Sequence, residues 1–293
     1  MHRRQTFRIP LASGQVLTLG ERTLVMAIVN ITPDSFSDGG ERLDPGVAVA
    51  DALRMVDEGA DLLDLGGEST RPGAAPLPAD EEWRRVGPVL EGLRGRVSVP
   101  ISIDTYKATI AARALDLGAT IVNDVTAFAA DPAMAGVVAS RGAAAILMHH
   151  RGRSSSMYDR AVYADVVAEV REELAVRLSE AEAAGVPRER LILDPGFGFA
   201  KRAAQSMETL AGLSALASLG VPILSGPSRK SFLQLALGDR PPAERVWGTA
   251  AAVAASIWLG AHIVRVHDVK AMVDVARVTD AIVSRTALSQ TRI

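Results

Sequence analysis

Eight short, continuously apolar runs, capped helical segments between them and no dividing linker predict an α/β fold, a (β/α)8 TIM barrel with a short N-terminal hairpin. A parallel strand covered by helices on both faces reads as an unbroken apolar run. The runs fall at residues 24–29, 62–65, 99–103, 120–122, 144–148, 191–193, 221–224 and 263–266. A doubly wound open sheet is the alternative, but that fold has no need of eight equivalent units. A chain of 293 residues is long for an average domain and ordinary for such a barrel. One domain is expected over residues 1–293, with residues 1–22 as the hairpin extension.

In chain order, residues 7–19 read as a loose strand pair turning at Ser13-Gly14. Asp44-Pro45 offers an N-cap and a proline at the first helical position, and that helix should end near Gly59. Asp80 stands where it can cap a helix whose Trp83, Val86, Leu90 and Leu93 share one face. Val162, Val166, Val170, Leu174 and Leu178 mark a longer helix that Gly185 and Pro187 stop. Met207, Leu210, Leu213 and Leu216 mark another.

Composition excludes several classes of function. Basic and acidic residues nearly cancel, 32 against 34, so no strong field recruits nucleic acid or an acidic membrane. The absence of cysteine removes disulfides, thiolate metal sites and a thiol nucleophile. The basic N-terminus lacks a following apolar stretch and does not read as a secretory signal. The Ala-rich segment 247–260 is shorter than the roughly 20 apolar residues a membrane span needs. A cytoplasmic protein is expected, with that segment as core or as a homodimer face.

The polar residues carry the chemistry. The first apolar run leads into Asn30-Ile31-Thr32-Pro33-Asp34-Ser35-Phe36-Ser37-Asp38-Gly39-Gly40, far longer and more polar than a plain strand-to-helix turn. Later strand ends carry Gly66-Gly67-Glu68-Ser69-Thr70-Arg71-Pro72-Gly73, Asp104-Thr105, Asn123-Asp124 and His149-His150-Arg151. The last ones carry Asp194-Pro195-Gly196-Phe197-Gly198-Phe199, Ser228-Arg229-Lys230 and Arg265-Val266-His267-Asp268. In a barrel these ends converge on one mouth. Asp104, Asn123 and Asp194 offer acceptors suited to an amino-heterocycle. Thr70, Arg71, Lys230, Arg265 and His267 offer donors and positive charge suited to a phosphate or pyrophosphate. Singly, Asp104 or Asp194 reads equally as a helix N-cap, Ser228-Arg229-Lys230 as a solvated helix start, and His149 and His150 as structural. Glu68 reads as a loop-orienting residue, Phe36 as a candidate mobile wall and Phe199 as a pocket wall. Asp64 reads as buried among strand side chains, outside the site.

On these stretches, in this order along nearly the whole chain, the sequence closely resembles dihydropteroate synthase, a pterin-binding family of folate biosynthesis. The resemblance implies a transferase joining 6-hydroxymethyl-7,8-dihydropterin pyrophosphate to 4-aminobenzoate, giving 7,8-dihydropteroate and pyrophosphate. Position by position, it implies that Thr70, Asp104, Asn123, Asp194, Lys230, Arg265 and His267 bind the pterin pyrophosphate, with Arg71 in the pyrophosphate clamp. Phe36, Pro72, Lys230 and Ser231 would shape the aminobenzoate site, where sulfonamides would compete, and Asn30 would contact Mg2+. Asp104, Lys230, Arg265 and His267 would carry the catalysis. A homodimer is implied as well. Ala27 and Ala200 stand where the family usually has glycine, and His150 where methionine is common. Two rival readings remain: a pterin-binding methyltransferase, which has no use for the loop at residues 32–40 or for Ser228-Arg229-Lys230, and a non-catalytic paralogue, which would be expected to lose part of the anion clamp.

Overall fold

The structure is a computed structural model and describes residues 4–32, 44–69, 76–152 and 157–290. Strands β1 (Phe7–Pro10) and β2 (Val16–Leu19) form the expected antiparallel hairpin, with Phe7 opposite Leu19. Gly14 takes the left-handed turn between them at φ 84°. Eight strand–helix units follow. They are β3 (Leu24–Asn30) with α1 (Pro45–Asp57), β4 (Leu62–Gly66) with α2 (Ala79–Leu93), β5 (Ile101–Asp104) with α3 (Ala108–Asp116), and β6 (Ile121–Asp124) with α4 (Met134–Arg141). Then come β7 (Ala144–Met148) with α5 (Val166–Ala183), and β8 (Leu191–Asp194) with α6 (Ala203–Ala211). β9 (Leu224–Ser225) precedes α7 (Gln234–Leu237) and α8 (Val246–Trp258), and β10 (Ile263–Val266) precedes α9 (Val269–Gln290). The strands are parallel in the order β8-β7-β6-β5-β4-β3-β10-β9. A single bridge from Leu193 to Ile223, with Leu193 N–H on the Pro222 carbonyl at 2.9 Å, joins β8 to the ninth strand's side.

Alternate residues of a barrel strand face the axis. The outward set, such as Val25, Ala27, Val29, Leu63, Leu65 and Ile103, packs beneath the helices. The inward set begins apolar. Leu24, Met26, Leu62, Ile121, Ile146, Ile192, Leu224 and Ile263 fill the lower barrel together with Ile9, Leu11 and Leu19 of the hairpin. The hairpin therefore plugs the end at which the strands begin. At the next inward positions the sequence switches to Asp64, Asp104, Asn123, Asp194 and Arg265, so the polar layer lies at the opposite mouth.

Local signals were obeyed unevenly. Asp44 caps α1 as expected, accepting from Gly46 N–H at 2.7 Å, and Gly59 leaves that helix at φ 101°. Asp80 does not cap α2. The Glu81 and Glu82 N–H groups bond to the Pro78 carbonyl, so the helix starts earlier and Asp80 lies in its first turn, beside the positive end of the dipole. Val162 also falls outside its expected helix and is 75% exposed. Asp165 accepts from Val167 and Ala168 N–H and starts α5 at Val166. The run from Met207 to Leu216 is broken at Gly212, where a Cβ would stand 2.5 Å from Val167. The expected strand at 221–224 is ordered as a ladder only over Leu224–Ser225.

Candidate active site

Four side chains from four strands meet in the polar layer. Arg265 donates from Nε to Asp64 at 2.6 Å and from Nη2 to Asp104 at 2.8 Å. Asn123 donates from Nδ2 to the same Asp64 oxygen at 2.9 Å. That bond fixes the amide so that its carbonyl oxygen, an acceptor, is left for a ligand. Oδ1 of Asp104 and Oδ1 of Asp64 are buried and have no hydrogen-bond partner among the described residues. A buried carboxylate oxygen without a donor is costly, so this layer is built for a ligand that brings N–H groups. Burial pushes the Asp104 carboxyl up to about 7; Arg265 opposes the shift and Asp64 adds to it.

Asp194, at the end of β8, is buried and accepts from the Gly196 N–H at 2.7 Å. Burial raises its pKa against the pull of Lys230. Across the seam, Lys230 donates to the Phe197 carbonyl at 2.6 Å and lies 4.6 Å from the centre of the Phe199 ring. Burial lowers its ammonium to about 8, with Asp194 resisting. Lys230 is aimed by the residue before it. Arg229 is held in the left-handed region at φ 58° by three contacts: its fork onto Asp268, its N–H on Thr249 Oγ1 at 3.0 Å, and Arg245 on its carbonyl at 2.9 Å. A non-glycine residue keeps such a backbone only where its surroundings dictate it. Ser228 Oγ accepts from the His267 N–H at 3.2 Å and lies 3.0 Å from its Nδ1. With the hydroxyl proton given to Nδ1, a neutral imidazole carries its own proton on Nε2.

The structure thus brings together Asp104, Asn123, Asp194, Lys230, Arg265, His267 and Phe199. Asn30 ends β3 on the same rim, paired in register with Gly66, which adjoins Asp104. Ser231 is exposed and opens the short turn Ser231–Leu233 beyond Lys230. Phe36, Thr70, Arg71 and Pro72 lie outside the described residues. Glu68 accepts from Tyr106 at 2.7 Å and pairs with Lys107, which also holds buried Glu82 at 2.5 Å, in keeping with a loop-orienting role. His149 is buried, and His150 tilts against Phe199 with ring centres 6.0 Å apart. Arg151 pairs with Glu169 and Glu173 and stacks on Tyr163.

Sequence reasoning read Asp64 as buried, which it is, but set it outside the site, whereas it ties Asn123 to Arg265 in the polar layer. Its parity was the available signal, because Leu62, Asp64 and Gly66 share the inward face of β4. It also gave no role to Lys201, a buried lysine behind the Asp194 loop.

Among the described residues, no group of three or more His, Cys, Asp or Glu side chains is arranged to hold a metal ion. Asn30 supplies a single amide oxygen at the rim. That donor suits Mg2+, which takes oxygen ligands, keeps several waters and draws the remaining ligands from substrate phosphates.

The family model described as pterin binding enzyme matches residues 26–267. The dihydropteroate synthase of Synechocystis sp. is 46% identical over 277 residues, covering 94% of this chain and 96% of that protein. The structure of Xanthomonas albilineans dihydropteroate synthase with 4-aminobenzoic acid superposes with a TM-score of 0.88 at 45% identity, over 95% of this chain and 98% of the other. The same organism's enzyme in complex with 7,8-dihydropteroate gives 0.84 at 42% identity, over 94% and 98%. The chain belongs to the pterin-binding enzymes, and among them to the dihydropteroate synthase family.

Proposed function

We propose that this chain is a transferase of folate biosynthesis that joins 6-hydroxymethyl-7,8-dihydropterin pyrophosphate to 4-aminobenzoate, releasing 7,8-dihydropteroate and pyrophosphate. The observation that carries this reading is the buried Asp64–Arg265–Asp104 cluster with its unpartnered Asp104 Oδ1, in a chain similar to enzymes solved with aminobenzoate and with dihydropteroate. Asp104, Asp194 and the Asn123 carbonyl accept from the ring N–H and amino groups of the pterin, and the Phe199 ring walls its face. Lys230, His267 and the remaining guanidinium nitrogen of Arg265 face the pyrophosphate, with Thr70 and Arg71 completing the clamp. Phe36, Pro72, Lys230 and Ser231 shape the aminobenzoate site. Asn30 would help hold Mg2+ arriving with the pyrophosphate, and the ion would supply charge neutralisation for the leaving group.

The bond from the pterin methylene to the pyrophosphate oxygen breaks first, and its electron pair leaves with the oxygen. Cationic side chains around that oxygen stabilise the developing charge. The Asp104 carboxylate offsets the positive charge left on the pterin methylene. The aminobenzoate nitrogen then forms the new C–N bond and gives its extra proton to solvent. No covalent enzyme intermediate is needed.

This chemistry requires Asp104 ionised and Lys230 protonated, which sets a pH dependence. Asp104 gains its charge as pH rises through about 7, and Lys230 loses its charge as pH rises through about 8. The value of kcat/KM for the pterin substrate should therefore be bell-shaped, with a narrow maximum between those limbs. The acidic limb should vanish in Asp104→Asn; a limb that persists unchanged there would remove Asp104 from this role.

The same proposal takes residues 1–293 as one domain, supported by the hairpin packed into the barrel floor. A homodimer through α8 and α9 is supported by Trp247 and Trp258, exposed on one side of α8, and by exposed Val278 and Ile282 on the adjoining α9. No described helix is long and apolar enough to cross a membrane, and we place the protein in the cytoplasm.

The deciding experiment measures pyrophosphate release from the pterin pyrophosphate with Mg2+, with and without 4-aminobenzoate. Release that depends on aminobenzoate and yields dihydropteroate is expected. Pterin binding without release would favour the methyltransferase or the non-catalytic paralogue.

A further inference from the structure

Lys201 is the most buried of the described lysines and arginines, only 1% exposed, and no step above uses it. Its Nζ lies 2.7 Å from His149 Nδ1 and 3.2 Å from each of the carbonyls of Gly196 and Phe199. His149 Nε2 in turn lies 3.1 Å from Glu173, which also receives the Arg151 fork. Burial lowers the pKa of both groups, Lys201 well below its ordinary value and His149 to about 4. Lys201 Nζ donates toward these acceptors, Nδ1 of a neutral ring among them, and the ring's Nε2–H faces Glu173.

The segment held by Lys201 is the one that builds the pterin wall. Gly196, Gly198 and Ala200 are all left-handed, at φ 67°, 78° and 49°, a sequence of turns that L residues resist. A Cβ at Gly196 would fall on the His149 carbonyl. These turns direct the Gly196 and Phe199 carbonyls backward onto Lys201, while the Phe197 carbonyl faces Lys230. The segment is thus pinned by one lysine from behind and by another from the substrate side. Its Gly196 N–H is the donor on Asp194, and its Phe199 ring faces Lys230 and His150.

We propose that Lys201, supported by His149 and Glu173, is a positioning residue for the pterin pocket: by holding the Gly196 and Phe199 carbonyls it aims the Asp194 carboxylate and sets the Phe199 ring. This rests on reading Asp194 as a pterin acceptor. Lys201→Met fills the slot without a donor. It should weaken calorimetric binding of 6-hydroxymethylpterin at least tenfold while the KM for 4-aminobenzoate stays within twofold. His149→Leu should lose pterin affinity in the same way. His149→Gln, whose amide accepts from Nζ and donates to Glu173, should stay within threefold of the wild type. Near-wild-type pterin affinity in a cooperatively folded Lys201→Met or in His149→Leu overturns the proposal, and so does a His149→Gln as weak as His149→Leu. Should Lys201→Met not fold, the His149 pair decides alone. Undiminished pterin binding by Asp194→Ala would instead unseat the pocket assignment itself.

Discussion

Arg265→Met should abolish measurable turnover and lower the unfolding free energy by about 3 to 5 kcal/mol, the usual loss when one partner of a buried ion pair is removed. The guanidinium bridges Asp64 and Asp104, and each carboxylate already has one buried oxygen without a donor. Without Arg265 the two acids face each other across a dry layer, and each resists ionisation. The anion loses a cation, and the pterin loses an ionised Asp104 to bind against. Steady-state kinetics and urea unfolding check both halves. A second substitution separates them: Asp64→Asn added to Arg265→Met removes a stranded charge, so it should recover part of the stability and none of the activity. Unchanged stability in Arg265→Met would show that the cluster is not the charge-balanced unit described above.

Asp194→Ala should reduce pterin affinity by at least about 100-fold, roughly 3 kcal/mol, in line with the loss of two charge-assisted hydrogen bonds. Removal of the carboxylate also leaves Lys230, its neighbour across the seam, without the anion that supports its charge, so Lys230 should titrate lower still. Titration calorimetry with the pterin at pH 7 reads the affinity. Equal binding by wild type and variant would overturn the role given to Asp194. The fold should survive, because what Asp194 holds locally is one N–H of Gly196.

Most of the architecture was legible because buried parallel strands leave a plain trace: seven of the eight apolar runs match their strands closely, and the eighth, 221–224, meets its strand only at Leu224. The mouth was legible for the same reason: Asp104, Asn123, Asp194 and Arg265 interrupt or end apolar runs, where chance places few charges. Asp64 was read as buried but set outside the polar layer because it sits one step inside such a run, and only its inward parity distinguishes it from a strand residue packed under a helix. Asp80 and Val162 misled for another reason. A capping residue competes with its neighbours, and Pro78 and Asp165 won through contacts that spacing alone does not register. Lys201 follows a glycine-rich loop and has no spacing signal of its own; only the folded loop shows that its carbonyls turn inward to meet it.

The thin join between β8 and the ninth strand's side has a consequence for how this sequence can change over time. One bridge at Leu193 and Ile223 links the two sides there, and above it stand Asp194 on one bank and Lys230 on the other, tied by the Phe197 carbonyl. Substrate recognition and barrel closure therefore draw on the same few residues. A replacement selected at this seam for a new preference among ligands also loosens or tightens the closure, which thermal unfolding without ligand would register. Replacements on the far side of the mouth, where β4, β5 and β6 share full ladders, leave the closure alone, but those at Asp64 or Asp104 disturb the buried ion pair with Arg265.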